Sequence, residues 1–166
     1  MHENQIHEFV DVLQTFDHAM LVTQRGTELR SRPMAIADRT RDGHVWFITD
    51  VDSGKLEELT EHPEVNLAMQ SDSRFLSISG TVRATRDSDK IDELWSDLQE
   101  LWFSKGRNDP ALILLEIVPM YAEYWDRSGI EAVKFMFAAA KSMATGETLG
   151  SDEGKHAKIR FPKSSG

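Results

Sequence analysis

Apolar residues along this chain recur with two different periods, and the switches between them mark out its elements. Ile6, Phe9, Val10, Leu13 and Phe16 fall at helical spacing, which predicts a short amphipathic helix within residues 4–18. Ala19 to Thr23 is a compact apolar run broken at Gln24-Arg25-Gly26-Thr27, and Glu28 to Ala37 resumes extended structure, which reads as a hairpin with a glycine-containing loop. Pro33 inside that run points to an edge strand or a bulge, since proline has no N–H for a ladder. A polar turn follows at Arg39 to Gly43, then a third strand from His44 to Thr49. Ser53 is placed to cap a helix over Lys55 to Glu61, which Pro63 stops. Val65 to Met69 and the long Phe75 to Thr85 read as strands, and Gly80 inside the second suggests a bulge or a close backbone approach. Ile91, Leu94, Trp95 and Leu98 give Ser88 to Leu101 a helical pattern. A loop over 102–109 leads to a dense apolar strand, Leu112 to Val118, and to an extended stretch, Met120 to Trp125.

Short turns join most of these strands, so antiparallel pairing is expected, in a small β-barrel with helices outside it. The order does not read as alternating βαβ units. The chain beyond residue 126 differs. Ile130 to Met143 has the spacing of a helix, and Thr145 to Gly154 is rich in Gly, Ser, Thr and acids, so a mobile segment or one lying against a partner is expected. The domain reading is therefore 1–126 for the barrel and 127–166 for a C-terminal helix and tail.

Composition narrows the function classes. A chain of 166 residues fits one domain with a core that needs no disulfide or metal. It has no cysteine, which excludes a disulfide framework, a thiolate zinc site and a cysteine nucleophile. That absence is compatible with the cytosol, and a cytoplasmic location is the expectation. No basic segment is followed by an N-terminal apolar run, and no stretch of about 18 apolar residues occurs, so neither a secretory leader nor a membrane helix is expected. The net charge of −9 argues against a nucleic-acid surface, which needs a basic face. An anionic ligand would need local cations.

Those cations occur together. Arg30 and Arg32 fall on one face of their strand, and arginine suits bidentate contact with phosphate or carboxylate. Thr49 ends the next strand, and Ser53 and Lys55 open the following helix, whose free N–H groups favour an anion. Each part has an ordinary alternative: solvated arginines, a simple cap, a surface lysine. Together they describe a phosphate-binding corner. The six histidines show no metal-ligand spacing, so no metal site is expected. Glu57-Glu58 reads as a solvated face. No G-x-S-x-G or G-x-G-x-x-G segment is present. No residue stands out as a general acid or base, so the catalytic residues stay unassigned and the chemistry points to a bound cofactor.

The segments Leu29-Arg30-Ser31-Arg32-Pro33-Met34, Val45-Trp46-Phe47-Ile48-Thr49-Asp50, Ser53-Gly54-Lys55-Leu56, His62-Pro63-Glu64-Val65-Asn66-Leu67, Ser77-Ile78-Ser79-Gly80-Thr81 and Ala122-Glu123-Tyr124-Trp125-Asp126 carry a resemblance. In order and content the chain resembles the FMN-binding split-barrel proteins related to pyridoxamine 5′-phosphate oxidase, and within them the bacterial general stress protein 26 group. The resemblance implies a mainly β fold with flanking helices, a six-stranded antiparallel split β-barrel. It also implies a homodimer with FMN, or alternatively FAD, at the subunit interface. It places Ser31 and Arg32 at the flavin phosphate, and the backbone of Pro33, Met34 and Ala35 beside the ring. Ile48, Thr49, Ser53 and Lys55 would complete the cofactor site, and Trp125 would approach from the partner subunit.

Departures accompany the match. The vitamin B6 oxidases have a lysine where this chain has Ala37, an arginine where it has Gly54, and a glutamine in the region of Phe75. Their late Arg-Leu-His-Asp segment has no counterpart after Trp125. The resemblance thus implies a flavin-dependent oxidoreductase of the general stress type that does not oxidise pyridoxamine 5′-phosphate; its electron donor stays open, with a nicotinamide reductant as one candidate. The alternative is a non-catalytic flavin-binding, storage or sensing module. Deazaflavin or haem in the same barrel is a third reading.

Overall fold

The computed structural model of the chain describes residues 2–52, 54–101, 103–128, 140–141, 143, 146 and 155–162, with the side chains of residues 2, 3, 97 and 98 left aside. The helix expected over 130–143 and the segment 145–154 lie almost wholly outside the described residues, as do Ser53 and Trp102.

Among the described residues there are eight strands: β1 (His18–Arg25), β2 (Glu28–Ala35), β3 (Asp38–Arg39), β4 (Val45–Asp50), β5 (Glu64–Gln70), β6 (Arg74–Thr85), β7 (Leu112–Asp126) and β8 (Lys155–Arg160). Every pairing is antiparallel, in the order β2-β1-β5-β6-β7-β4-β3, with β8 beside β7. The six strands read from the sequence are β1, β2, β4, β5, β6 and β7. The chain then curls the sheet into a half-barrel. It leaves β2 at Ala35, the Ala37 N–H donates to the Trp46 carbonyl at 2.8 Å, and Asp38 pairs with Trp46. One run of chain thus borders β1 first and β4 next. Pro33 lies on the end strand of the sheet order, where its missing N–H costs no ladder bond to a further strand.

β7 spans both halves of the barrel. Its first half pairs with β4 and its second with β8, while β6 runs along the other edge. The β6–β7 register shifts at Ser79/Gly80. A Cβ at Gly80 would lie 2.3 Å from the Val118 carbonyl oxygen, so only glycine lets the strands meet there.

Helix α1 (His2–Leu13) puts Phe9 and Leu13 into the core with Leu21, Phe47, Leu67, Ile78, Ile117 and Tyr124. Helix α2 (Lys55–Glu61) lies against β1. The pattern over Ser88–Leu101 resolves into two helices, α3 (Ser88–Leu94) and α4 (Asp97–Glu100), because Ser96 and Gln99 form a capping box that starts a new helix. These two and a 3-10 turn at Gly106–Asn108 accompany a second cluster, in which Ile91, Phe103, Leu112 and Leu114 pack with Trp46, Ile48 and Trp95. Among the described residues no helix is long and apolar enough to cross a membrane.

The segment beyond residue 126 is not only a tail. β8 adds to the sheet, Ile159 is buried in the main core, and Phe161 meets Phe9 edge-on at 5.4 Å. Its inward side alternates Ala157, Ile159, Phe161 between charged residues. Ile159→Val should therefore destabilise the whole domain by about 0.5–1.5 kcal/mol, the usual cost of one buried methyl group. Urea unfolding checks this. A midpoint identical to that of the parent would mean that β8 contributes nothing to the fold.

Candidate functional site

Strand alternation decides what β2 can do. Arg30, Arg32 and Met34 face inward, and Ser31, Pro33 and Ala35 face outward and are exposed. Met34 is buried in the core, so only its backbone is available to a ligand. The serine and arginine of the pair thus project to opposite faces.

The inward arginines meet a carboxylate that the sequence reading left on a solvated face. Glu58, in α2, is 4% exposed. Arg32 binds it with both terminal nitrogens, Nη1 to Oε2 at 2.8 Å and Nη2 to Oε1 at 2.9 Å. The buried Thr23 hydroxyl donates to Glu58 Oε2 at 2.6 Å and accepts from Arg32 Nη1 at 2.8 Å. Arg30 Nη1 adds a bond to Glu58 Oε1 at 3.2 Å. The Arg32 hydrogen bond, ahead of the Thr23 bond and the two arginine charges, holds the Glu58 carboxyl down at about 2 despite its burial. The signal for this was available: two cations on the same strand face as a core methionine need an internal counter-charge.

Arg32 is not used up by this pairing. A guanidinium has five N–H donors, and the three bonds to Glu58 and Thr23 leave Nε–H and one Nη2–H, to which no described residue is bonded. Those two donors share one edge of the guanidinium, the fork that suits a phosphate. Lys55 completes the corner. Its pKa is depressed first by burial and next by the charge of Arg32, so the two cations sit close enough to repel. An anion between them would relieve that repulsion. Three cations, Arg30, Arg32 and Lys55, thus surround one buried carboxylate, with Asp50 also acting on Lys55. These residues fit a phosphate group.

The other expected contributors divide. Thr49 is buried at the end of β4. Ile48 lies on the opposite face of β4, where it packs against the second apolar cluster. Helix α2 has only seven residues, and its N-cap is Gly54, with φ 67° and no side-chain cap bond. The cap is thus one residue later than read from the sequence. The left-handed backbone at Gly54 would strain any side chain placed there.

Trp125 lies elsewhere. It stacks on His156 of β8, with ring centroids 5.1 Å apart and planes 7° from parallel. His156 Nε2 is 2.7 Å from Glu123 Oε1, a hydrogen bond that chiefly keeps the Glu123 carboxyl below the ordinary range. Trp125 also lines an open groove of about 470 Å³ with Met20, Pro33, Gln70, Phe75 and Ser77. No lysine or arginine is among its described lining residues. Within one subunit the fold does not bring Trp125 to the corner. It gathers Arg32, Lys55 and Glu58 in one place, and Pro33 and Trp125 in another. Among the described residues no group of three or more His, Asp or Glu side chains could hold a metal ion.

Known proteins share this architecture. A general stress protein 26 of Jannaschia sp. CCS1 is 28% identical and superposes with a TM-score of 0.75 over 95% of this chain and 99% of its own. The general stress FMN/FAD binding protein of Xanthomonas citri is 27% identical, with a TM-score of 0.64 over 77% of this chain and 89% of its own. The general stress protein 26 of Bacillus anthracis, at 21% identity and a TM-score of 0.66, shares the fold. No curated protein matches. The model of the pyridoxamine 5′-phosphate oxidase-like family matches residues 4–150, and the chain belongs to that family.

Proposed function

We propose that this chain is a flavin-binding protein of the general stress type, taking FMN or FAD, and that it acts as a flavin-dependent oxidoreductase. The observation that carries this reading is the corner itself. Arg32 presents a free two-donor edge beside Lys55, in a chain similar to a named FMN/FAD binding protein. Arg32 and Lys55 hold the phosphate, the Thr49 hydroxyl and Ser53 add hydrogen bonds, and the backbone over 33–35 supports the ring. The flavin supplies hydride and electron transfer, and the protein supplies anchoring and exclusion of water.

The separation of Trp125 from the corner supports a site completed by a second copy. The outer sheet face supplies the apolar surface, with Met20, Leu29, Phe75 and Met120 all exposed. A nicotinamide nucleotide is the proposed reductant.

Titration of the purified protein with FMN, FAD and pyridoxal 5′-phosphate, read by visible absorbance and flavin fluorescence, tests the binding. One flavin per subunit of a dimer, without pyridoxal phosphate binding, is expected. Absence of flavin binding overturns the reading. Reduction of the bound flavin by NADH or NADPH, followed by reoxidation by an added acceptor, separates an oxidoreductase from a storage or sensing module.

A further inference from the structure

We propose that Glu58 is a positioning residue of the phosphate corner, holding the Arg32 guanidinium so that its Nε–H/Nη2–H edge is turned to the ligand. The inference rests on the flavin reading above and goes beyond it by giving the buried carboxylate a task in binding.

Four hydrogen bonds tie Arg32, Glu58 and Thr23 together. Its two terminal nitrogens meet the two Glu58 oxygens at 2.8 and 2.9 Å, and Thr23 bridges the pair by donating to one and accepting from the other. Arginine is a long, rotamer-rich side chain, and ordering it only when a ligand arrives weakens binding. Here the plane and the torsion of the guanidinium are fixed beforehand by a strand residue and a helix residue that are both buried. Thr23 is 1% exposed and Glu58 4%. The pairing consumes one edge of the fork and leaves the other complete.

A plain counter-ion would act differently. A carboxylate that merely neutralised Arg32 would compete with phosphate, and its removal would tighten binding. But Glu58 is shared between Arg32 and Arg30, with Lys55 close by, so the corner stays cationic after the pairing. The two roles therefore predict opposite signs for the same substitution.

The test is the dissociation constants of FMN and of riboflavin, which lacks the phosphate, for the parent protein, Glu58→Gln and Thr23→Val, each first shown to be folded by circular dichroism and urea unfolding. Positioning predicts that Glu58→Gln weakens FMN by about tenfold or more and leaves riboflavin unchanged, collapsing the ratio of the two constants. Thr23→Val should shift FMN in the same direction by about threefold, since it removes the two bonds of the Thr23 hydroxyl and no charge. A loss shared equally by FMN and riboflavin would mark a merely structural role and overturn the proposal. So would tighter or unchanged FMN binding in Glu58→Gln. If Glu58→Gln does not fold, Thr23→Val decides, and an unchanged FMN constant there overturns the proposal. A parent protein that binds no flavin would instead overturn the flavin reading, and this inference with it.

Discussion

Glu58→Ala should lower the free energy of unfolding by about 2–3 kcal/mol at pH 7. Removing one partner of a fully buried ion pair costs roughly 3–5 kcal/mol, because the remaining charge loses its counter-charge in a medium that solvates it poorly. One feature sets the expected value lower. Arg32 and Arg30 keep 27% and 38% of their side-chain surface exposed, so water takes over part of the lost interaction. The Thr23 hydroxyl, by contrast, is buried and loses its acceptor on Glu58.

The pH dependence has a definite sign. The Glu58 carboxyl is held at about 2 in the fold, against 4.5 for a free glutamate. A carboxyl with a depressed folded pKa stabilises the fold fully above its unfolded value, and the contribution is lost as pH falls through the folded value. The gap between parent and Glu58→Ala should therefore be constant above about pH 5 and narrow progressively from there toward pH 2. Urea unfolding of both proteins across that range checks it. A gap that stays constant down to pH 3 would mean that Glu58 is not ionised in the fold, and the account of the network would be wrong.

The second large effect concerns ligand rather than fold. Lys55→Met should weaken FMN by about 1.5–3 kcal/mol, the scale of a hydrogen bond to a charged group, while leaving stability nearly unchanged. Burial and the neighbouring Arg32 already disfavour the Lys55 charge, so the fold loses little when it goes. Arg32→Lys should give a loss of similar size in FMN affinity, because an ammonium keeps the charge and forfeits the planar fork. Arg32→Ala is a poorer probe, since it also strands the Glu58 carboxylate. Isothermal titration calorimetry with thermal unfolding of the same samples separates binding from stability. Parental FMN affinity in Lys55→Met would remove Lys55 from the site.

Local signals in the sequence located most of the fold. Period-two runs and short turns gave the six long strands, and Gly80 marked the bulge, because those features depend on backbone sterics and on which face is buried. Features set by distant partners were harder to read. β8 escaped notice because Ala157, Ile159 and Phe161 alternate with His156, Lys158 and Arg160 in a stretch that looks polar overall. Its burial comes from β7 and α1, more than thirty residues away in the chain. The break between α3 and α4 was visible in Ser96 and Gln99, yet the apolar spacing across it masked the cap.

The candidate site shows the same division. Arg32 and Lys55 stood out by residue type and spacing, and in the fold the charge of Arg32 acts on Lys55. Ser31 shared the same sequence motif as Arg32, but strand alternation turns its side chain to the opposite face, and Ile48 packs against the second apolar cluster. Glu58 was read as solvated because a glutamate beside another on a short helix usually is. Only the tertiary placement of α2 over β1 and β2 reveals that it faces the two arginines.

The most direct test of the phosphate corner is the ratio of the riboflavin and FMN dissociation constants for the unmodified protein, since the two ligands share a ring system and differ by the phosphate. The account predicts a ratio above about ten, from at least one charge-assisted bond made only by FMN. Equal affinities would contradict it, placing the flavin, if it binds at all, by its ring alone and leaving Arg32 and Lys55 without the role assigned to them.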